Sequence, residues 1–455
     1  MPDFKAEVSS TGSRDSAPGP DIDAPAKSDR PNVRLLLLVL AAALAVKFVV
    51  FGVSVGTSMN LSLPNAESWQ DFSLAYMPAA SALKNGFLPY NDFFYAYPPL
   101  FLYAQVAFSY LPLPSWSGAI PLVASDALTV IPVYLIARRF RGERAAVLVS
   151  AMFILAPTNL YYADYLWLNP PLTTLFLMLS LYVLMEGRYD LSALLLAVSI
   201  GFKQTALFAL PVVFLVVWRS QRGRSGAVRY LLITTLVCFL VSLPYLFVSP
   251  GAYLASIFRV PMDWWDQGLP ASYFQLGVGT GTQVTFGTSN WLTSRWALLS
   301  LGVYSPATLA LPVFLFLISP GYYWVYNSSM VLSTGGCIVI VGGLLLLLRS
   351  VWKQAPTDPR EVLSYVLCAL LFVFTFYPLY KYYVVGIIPL LVLLVRSKWD
   401  AVGFTAFSLS LLFVPRYFSP WVLLATLIWI MRRSIADHIR MPHERQKRLY
   451  EHADR

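Results

Sequence analysis

The length of its apolar runs constrains this chain more than any other feature. Val33 to Val53 reads VRLLLLVLAAALAVKFVVFGV and holds two charges, Arg34 at its edge and Lys47. Cys337 to Leu348 holds none. A helix needs about 20 apolar residues to cross a hydrocarbon core of roughly 30 Å, and the first run has that length. Charged residues fill 12% of the 455 positions, against about 25% in soluble domains, too few to clothe a core of this size in polar surface. The expected fold is all-α, a polytopic transmembrane helix bundle of about 11 to 13 membrane segments by hydrophobic length. Several segments are broken by proline or too short to span alone, which leaves the number of crossings open.

The net charge of +10 is distributed in clusters: Arg138, Arg139, Arg141 and Arg144, then Arg219, Arg222, Arg224 and Arg229, then Arg432 and Arg433 onward. Short basic stretches between apolar runs are the positive-inside pattern. Their partner is expected to be anionic lipid rather than nucleic acid. The three cysteines lie in apolar runs without a CxxC pair, and the three histidines all lie in the C-terminal tail. A Ser–His–Asp hydrolase or an HExxH protease is therefore excluded from the membrane body by inventory. The division expected is a disordered cytoplasmic tail over 1–32, a membrane domain over 33–431 and a basic cytoplasmic tail over 432–455. The first run is too long for a signal h-region and is expected to remain as an anchor.

Two long polar-aromatic loops, near 56–96 and 249–296, fall on the same non-cytoplasmic face by alternation of the basic segments. Binding groups concentrate on such loops. In the first, Phe72, Ala75, Tyr76, Ala79 and Leu83 recur at helical spacing, which predicts an amphipathic helix along the interface. Asp71 opens that helix. It is either a solvated loop acid or a carboxylate held to take a proton as general base. Glu67, one turn earlier, assists it or is a plain cap.

Ionisable groups inside apolar segments are costly, so each raises a functional hypothesis. Asp126, in PLVASDALTVIP, is such a group, or else pairs structurally with a lysine. Lys203, in GFKQTALFALPVV, either snorkels or faces a cavity at a broken helix near Pro211, where it could hold a phosphate; Gln204 follows it. Lys381 sits among Tyr377, Tyr380, Tyr382 and Tyr383, either as an interface belt or as a site. Asn169 precedes Pro170 as an N-cap. Arg259 and the Trp264–Trp265 pair lie in the second loop.

These residues come in an order that resembles a known family. The first-loop Asp71 is followed by ALKNGFLPY (82–90), the YPPLF box (97–101), YLIARRFRG (134–142), the LNPPL step and GFKQTA. The pattern resembles polytopic glycosyltransferases of the type C fold, in the polyprenyl- or dolichyl-phosphate-mannose-dependent mannosyltransferase branch. It is carried well over residues 34–215 and loosely beyond. The resemblance implies an inverting transfer of a hexose, mannose by default, from a polyprenyl-phosphate donor to a lipid-linked or glycan acceptor on the non-cytoplasmic face. It implies Asp71 as catalytic base, and Lys203 and Lys381 with its tyrosines as donor-phosphate ligands; the leaving phosphate's need for cations adds Arg259 as a further candidate. Glu67, Asp126, Asn169, Gln204, Tyr380 and Tyr382 are in support. The first loop lacks the acidic pair of some relatives, and no histidine stands near position 381, so a divalent metal is possible but not indicated and no other cofactor is expected.

The chemistry agrees with that list. A phosphate monoester leaves as a stabilised anion, so the site needs one base and nearby cations. The rival readings are a transporter or flippase for an amphipathic substrate and a non-catalytic subunit that binds lipid-linked sugar. The absence of a retention signal favours a plasma membrane over an endoplasmic reticulum.

Overall fold

The computed structural model describes residues 31–61, 63, 71–93, 95, 97–220, 222–250, 253, 257, 275–277, 283–285, 329–353, 359–376, 381–414, 419 and 421–432. The tails expected over 1–32 and 432–455 lie almost wholly outside these residues, as do Glu67, Arg259, Trp264, Trp265, Tyr377 and Tyr380.

Helix α1 (Val33–Thr57) is capped by Asn32, whose side chain accepts from the Leu35 amide. It has 25 residues. At the α-helical rise it is about 37 Å long, enough to cross a bilayer. It ends at Ser58, whose φ of 51° stops the helix. Beyond it a π-helix (Phe72–Tyr76) runs directly into α2 (Met77–Lys84). Phe72, Tyr76 and Ala79 turn to the core, which bears out the amphipathic pattern. Gly86 then closes α2 with φ at 90°, a conformation that favours glycine.

Helix α3 (Pro99–Ser109) has 11 residues. Its length of about 16 Å at the α-helical rise is too short to cross alone. Pro98 and Pro99 set its start, where their missing amides leave no bond unmade. Helices α4 (Ile120–Leu128) and α5 (Val130–Ile154) follow. Gly142, with φ 78° and ψ 178°, breaks α5 within its basic stretch, a backbone conformation open to glycine. There Arg138 pairs with Glu143 at 2.7 Å, and Glu143 also accepts from the Asn32 amide. The start of α1 thus sits at the basic end of the bundle, and its far end leads towards Asp71.

After one turn, α6 (Pro157–Asn159), a second π-helix (Leu160–Tyr165) leads to α7 (Pro170–Met185). Helix α7 is central, with 13 of its 16 residues buried. It packs on α8 (Tyr189–Phe202) through small residues, as membrane helices commonly do. Ser180 Oγ donates to the Ser192 carbonyl at 2.8 Å. Ser199 Oγ donates to the Thr173 carbonyl at 2.8 Å. The apolar run then breaks at Lys203, whose backbone is extended (φ −155°, ψ 127°). A 3-10 helix (Gln204–Ala209) and α9 (Leu210–Arg219) continue from it, so the run forms two half-length helices as expected. Helix α10 (Gly223–Val248) is peripheral and presents Leu232, Leu236, Phe239 and Leu240 outward, the face a lipid environment covers.

The C-terminal part comprises α11 (Ser329–Lys353), α12 (Pro359–Phe376), a 3-10 helix (Lys381–Ile387), α13 (Ile388–Leu394), α14 (Lys398–Phe413) and α15 (Trp421–Arg432). A three-residue antiparallel ribbon, Gln275–Gly277 with Gln283–Thr285, is the one sheet among the described residues. Three helical stretches there are long and apolar enough to span: Val33–Thr57, Ser115–Tyr165 and Gly223–Val248. Seven further apolar helices have 10–17 residues. The all-α membrane bundle is therefore the fold.

Candidate functional site

The first loop, the start of α7, the break after α8 and the Lys381–Ile387 turn meet at one place. Asp71 stands at the head of the first π-helix. Its Oδ2 accepts from the Tyr382 hydroxyl at 3.0 Å and from the Tyr76 hydroxyl at 3.3 Å. Burial pushes the Tyr76 phenol well above its ordinary pKa, with Tyr97 and Asp71 adding to the shift, because each disfavours the phenolate. It therefore remains a donor to the carboxylate. The Tyr97 hydroxyl lies 3.5 Å from that of Tyr382.

Lys203 approaches from the other side. Its Nζ donates to Asn169 Oδ1 at 2.7 Å. It also lies 3.5 Å from the Tyr383 ring centroid, 4.9 Å from that of Tyr382 and 5.7 Å from that of Tyr97. Aromatic faces attract a cation at such distances. Asp71 and Lys203 therefore share Tyr382, one through its hydroxyl and the other through its ring. Lys203 is 2% exposed, so it is enclosed in the bundle rather than snorkelling to the surface. With Thr173, Thr174, Thr205 and Tyr383 it lines a small, partly open pocket of about 20 Å³. The Thr173 hydroxyl and the Asn169 Nδ2 have no hydrogen-bond partner among the described residues.

The other sequence candidates divide. Lys381 is buried at the start of its turn, beside Tyr382. Gln204 Nε2 donates to the Ile257 carbonyl at 2.9 Å and ties the helix break to the second long loop. Asn169 does not cap α7 with its side chain, because Lys203 takes its amide oxygen. Asp126 is engaged elsewhere, by Lys47 and by Asn159 Nδ2 at 2.9 Å.

Sequence reasoning left Tyr97, Tyr76 and Thr173 out of the site. The YPPLF box did carry the signal for Tyr97. Its prolines fix the start of α3, and the Tyr97 carbonyl accepts from the Tyr90 hydroxyl, so the ring is held against Tyr76 and Phe101. Gly118 keeps α4 close to this layer: a Cβ there would stand 2.8 Å from Met77 Sδ and 3.4 Å from the Phe72 ring.

Residues 135–262 match the model of the ALG3 protein family. That match is to a family of membrane glycosyltransferases. It takes in Asn169, Lys203 and Gln204 and leaves Asp71 and Tyr382 outside. The resemblance to type C dolichyl-phosphate-mannose-dependent enzymes holds on this ground. No curated protein matches the sequence. Two solved structures from Archaeoglobus fulgidus are similar in chain path. One is the archaeal oligosaccharyltransferase AglB in complex with an inhibitory peptide and a dolichol-phosphate, at a TM-score of 0.40 and 13% identity, covering 86% of this chain and 56% of that one. The other is an oligosaccharyltransferase tethered to an acceptor peptide with the NVT sequon, at a TM-score of 0.38 and 13% identity, covering 85% and 55%. This chain thus spans little more than half the length of either.

Proposed function

We propose that this integral membrane protein transfers a hexose, mannose by family preference, from a polyprenyl-phosphate donor to a lipid-linked or glycan acceptor. Transfer takes place on the face opposite the basic segments and inverts the anomeric centre. The observation that carries the reading is the convergence of the Asp71 carboxylate and the Lys203 ammonium on Tyr382, beside a cavity among membrane helices.

In this reading an acceptor hydroxyl gives its proton to Asp71 while its oxygen attacks the anomeric carbon. The bond from that carbon to the phosphate oxygen breaks, and polyprenyl phosphate leaves with the electron pair. Lys203 faces the growing negative charge, with the Thr173 hydroxyl and the Asn169 amide as hydrogen-bond donors. Lys381 is the second cation, and Arg259 is a third candidate from the second loop. Tyr76 and Tyr382 orient the base. The cation loses little of its strength, because the cavity is lined by helices of low dielectric. The membrane favoured is a plasma membrane, with an endoplasmic reticulum membrane as the eukaryotic alternative.

The test is transfer by the purified protein from labelled polyprenyl-phosphate sugars to candidate acceptors. Asp71→Asn should abolish product while leaving donor binding within about threefold, the loss being a general base worth roughly 10²- to 10⁴-fold. Product from nucleotide sugars alone, or full transfer by Asp71→Asn, would reject the assignment. A transporter would move its substrate regardless of this substitution.

A further inference from the structure

Three ionisable side chains take no part in that chemistry, yet each is completely buried in the bundle. Lys47 of α1 pairs through Nζ with Asp126 of α4 and, at 3.0 Å, with Asp164 of the second π-helix. Asn159 completes the group by donating to Asp126 Oδ1 at 2.9 Å. None of the three charged residues lines the cavity beside Lys203.

We propose that Lys47, Asp126 and Asp164 form a positioning cluster that fixes segment 159–169, and through it the spacing of the Asp71 carboxylate and the Lys203 ammonium. Buried ion pairs are a poor route to stability, since apolar side chains of equal volume often do as well or better. What such a pair supplies is direction. Here the direction is legible along the chain. Asp164 is anchored to α1 by Lys47, and Tyr165 beside it by its hydroxyl, which lies 2.7 Å from both Thr57 Oγ1 and the Leu61 amide. Two residues on, Trp167 has a φ of 55°. That value is uncommon for a bulky residue, and only over-determined surroundings maintain it. Its ring packs on Phe51 of α1 at 5.4 Å and edge-on to Phe72 at 5.1 Å. Phe72 is the neighbour of Asp71. Two residues further, Asn169 accepts from Lys203. The π-helix also packs on the Lys381–Ile387 turn that carries Tyr382. One short segment, set by the cluster, therefore reaches the base through Trp167 and the cation through Asn169.

The effect on turnover rests on the proposed transfer reading; the effect on geometry does not. The experiment is the structure of Asp164→Asn in lipid nanodiscs, with steady-state transfer measured on the same preparation. The Asp71 Oδ2–Tyr382 and Lys203 Nζ–Asn169 distances, now 3.0 and 2.7 Å, should lengthen. Turnover per folded molecule should fall about 10- to 100-fold, as sub-ångström to ångström displacement of reacting groups does, with a smaller change in donor KM. If Asp164→Asn does not fold, the neutral cluster Lys47→Met/Asp126→Asn/Asp164→Asn, which strands no charge, takes its place. Both distances unchanged in a folded variant would overturn the proposal whatever the turnover. A wild type that transfers nothing from any polyprenyl-phosphate sugar would sink the function reading alone, and the two distances would still decide this one.

Discussion

Lys47 and Lys203 are both buried among these membrane helices, and their surroundings differ. Lys47 is held between two carboxylates, with the Phe153 ring 5.3 Å away, in a region closed by α1, α4 and the second π-helix. Lys203 stands at an interrupted helix beside an amide oxygen and three tyrosine rings, and it lines a cavity. Depth in the membrane is the same kind of cost for both. What separates a structural charge from a site is whether the packing leaves room next to it for a guest. Helix continuity marks the difference: Lys47 sits within an unbroken α1, Lys203 where the main chain turns extended.

Five variants sharpen or break that contrast. Lys47→Met should be the most damaging to folding, because it strands two buried carboxylates. A loss of about 3–5 kcal/mol is expected, read as a lowered Tm and yield in detergent. Adding Asp126→Asn and Asp164→Asn should recover most of that stability without recovering turnover. Lys203→Met should show the reverse profile. Donor affinity should fall about 10- to 100-fold, in line with roughly 1.5–3 kcal/mol for a hydrogen bond to a charged group. Its Tm should drop less than that of Lys47→Met. Equal Tm losses and unchanged donor binding would erase the distinction between the two lysines. Tyr382→Phe keeps the ring for Lys203 and removes the hydroxyl from Asp71. It should lower kcat about three- to tenfold, near 1 kcal/mol for one hydrogen bond, and leave donor KM nearly unmoved. Thr173→Val, at the cavity wall, should be the mildest, with donor KM raised by no more than about fivefold.

Much of this was legible in the sequence, and the physical reasons are specific. Apolar runs announce membrane helices because the bilayer sets their length. The break at Lys203 was readable because a charge, small residues and Pro211 interrupt one run. The helix after Asp71 was readable from Phe72, Tyr76 and Ala79 at helical spacing. Asp126 was left balanced between a functional role and a lysine partner, and the partner lies 79 positions earlier on another helix. Periodicity carries no information about such a separation. Asn169 looked like a helix cap because it precedes two prolines; an amine from across the helix pair competes for its oxygen and takes it. Tyr97 and Tyr382 meet across 285 positions. Only the fold makes them neighbours.

The tyrosine at position 382 has a consequence for how such a site can change. Its hydroxyl serves one charge and its face the other, so both hang from the same short turn. A mutation that shifts this turn is felt at both ends at once, and neither end can be retuned for a new sugar while the other keeps its old alignment. Divergence in specificity should therefore be sought outside the inner aromatic layer, where every adjustment is a joint one.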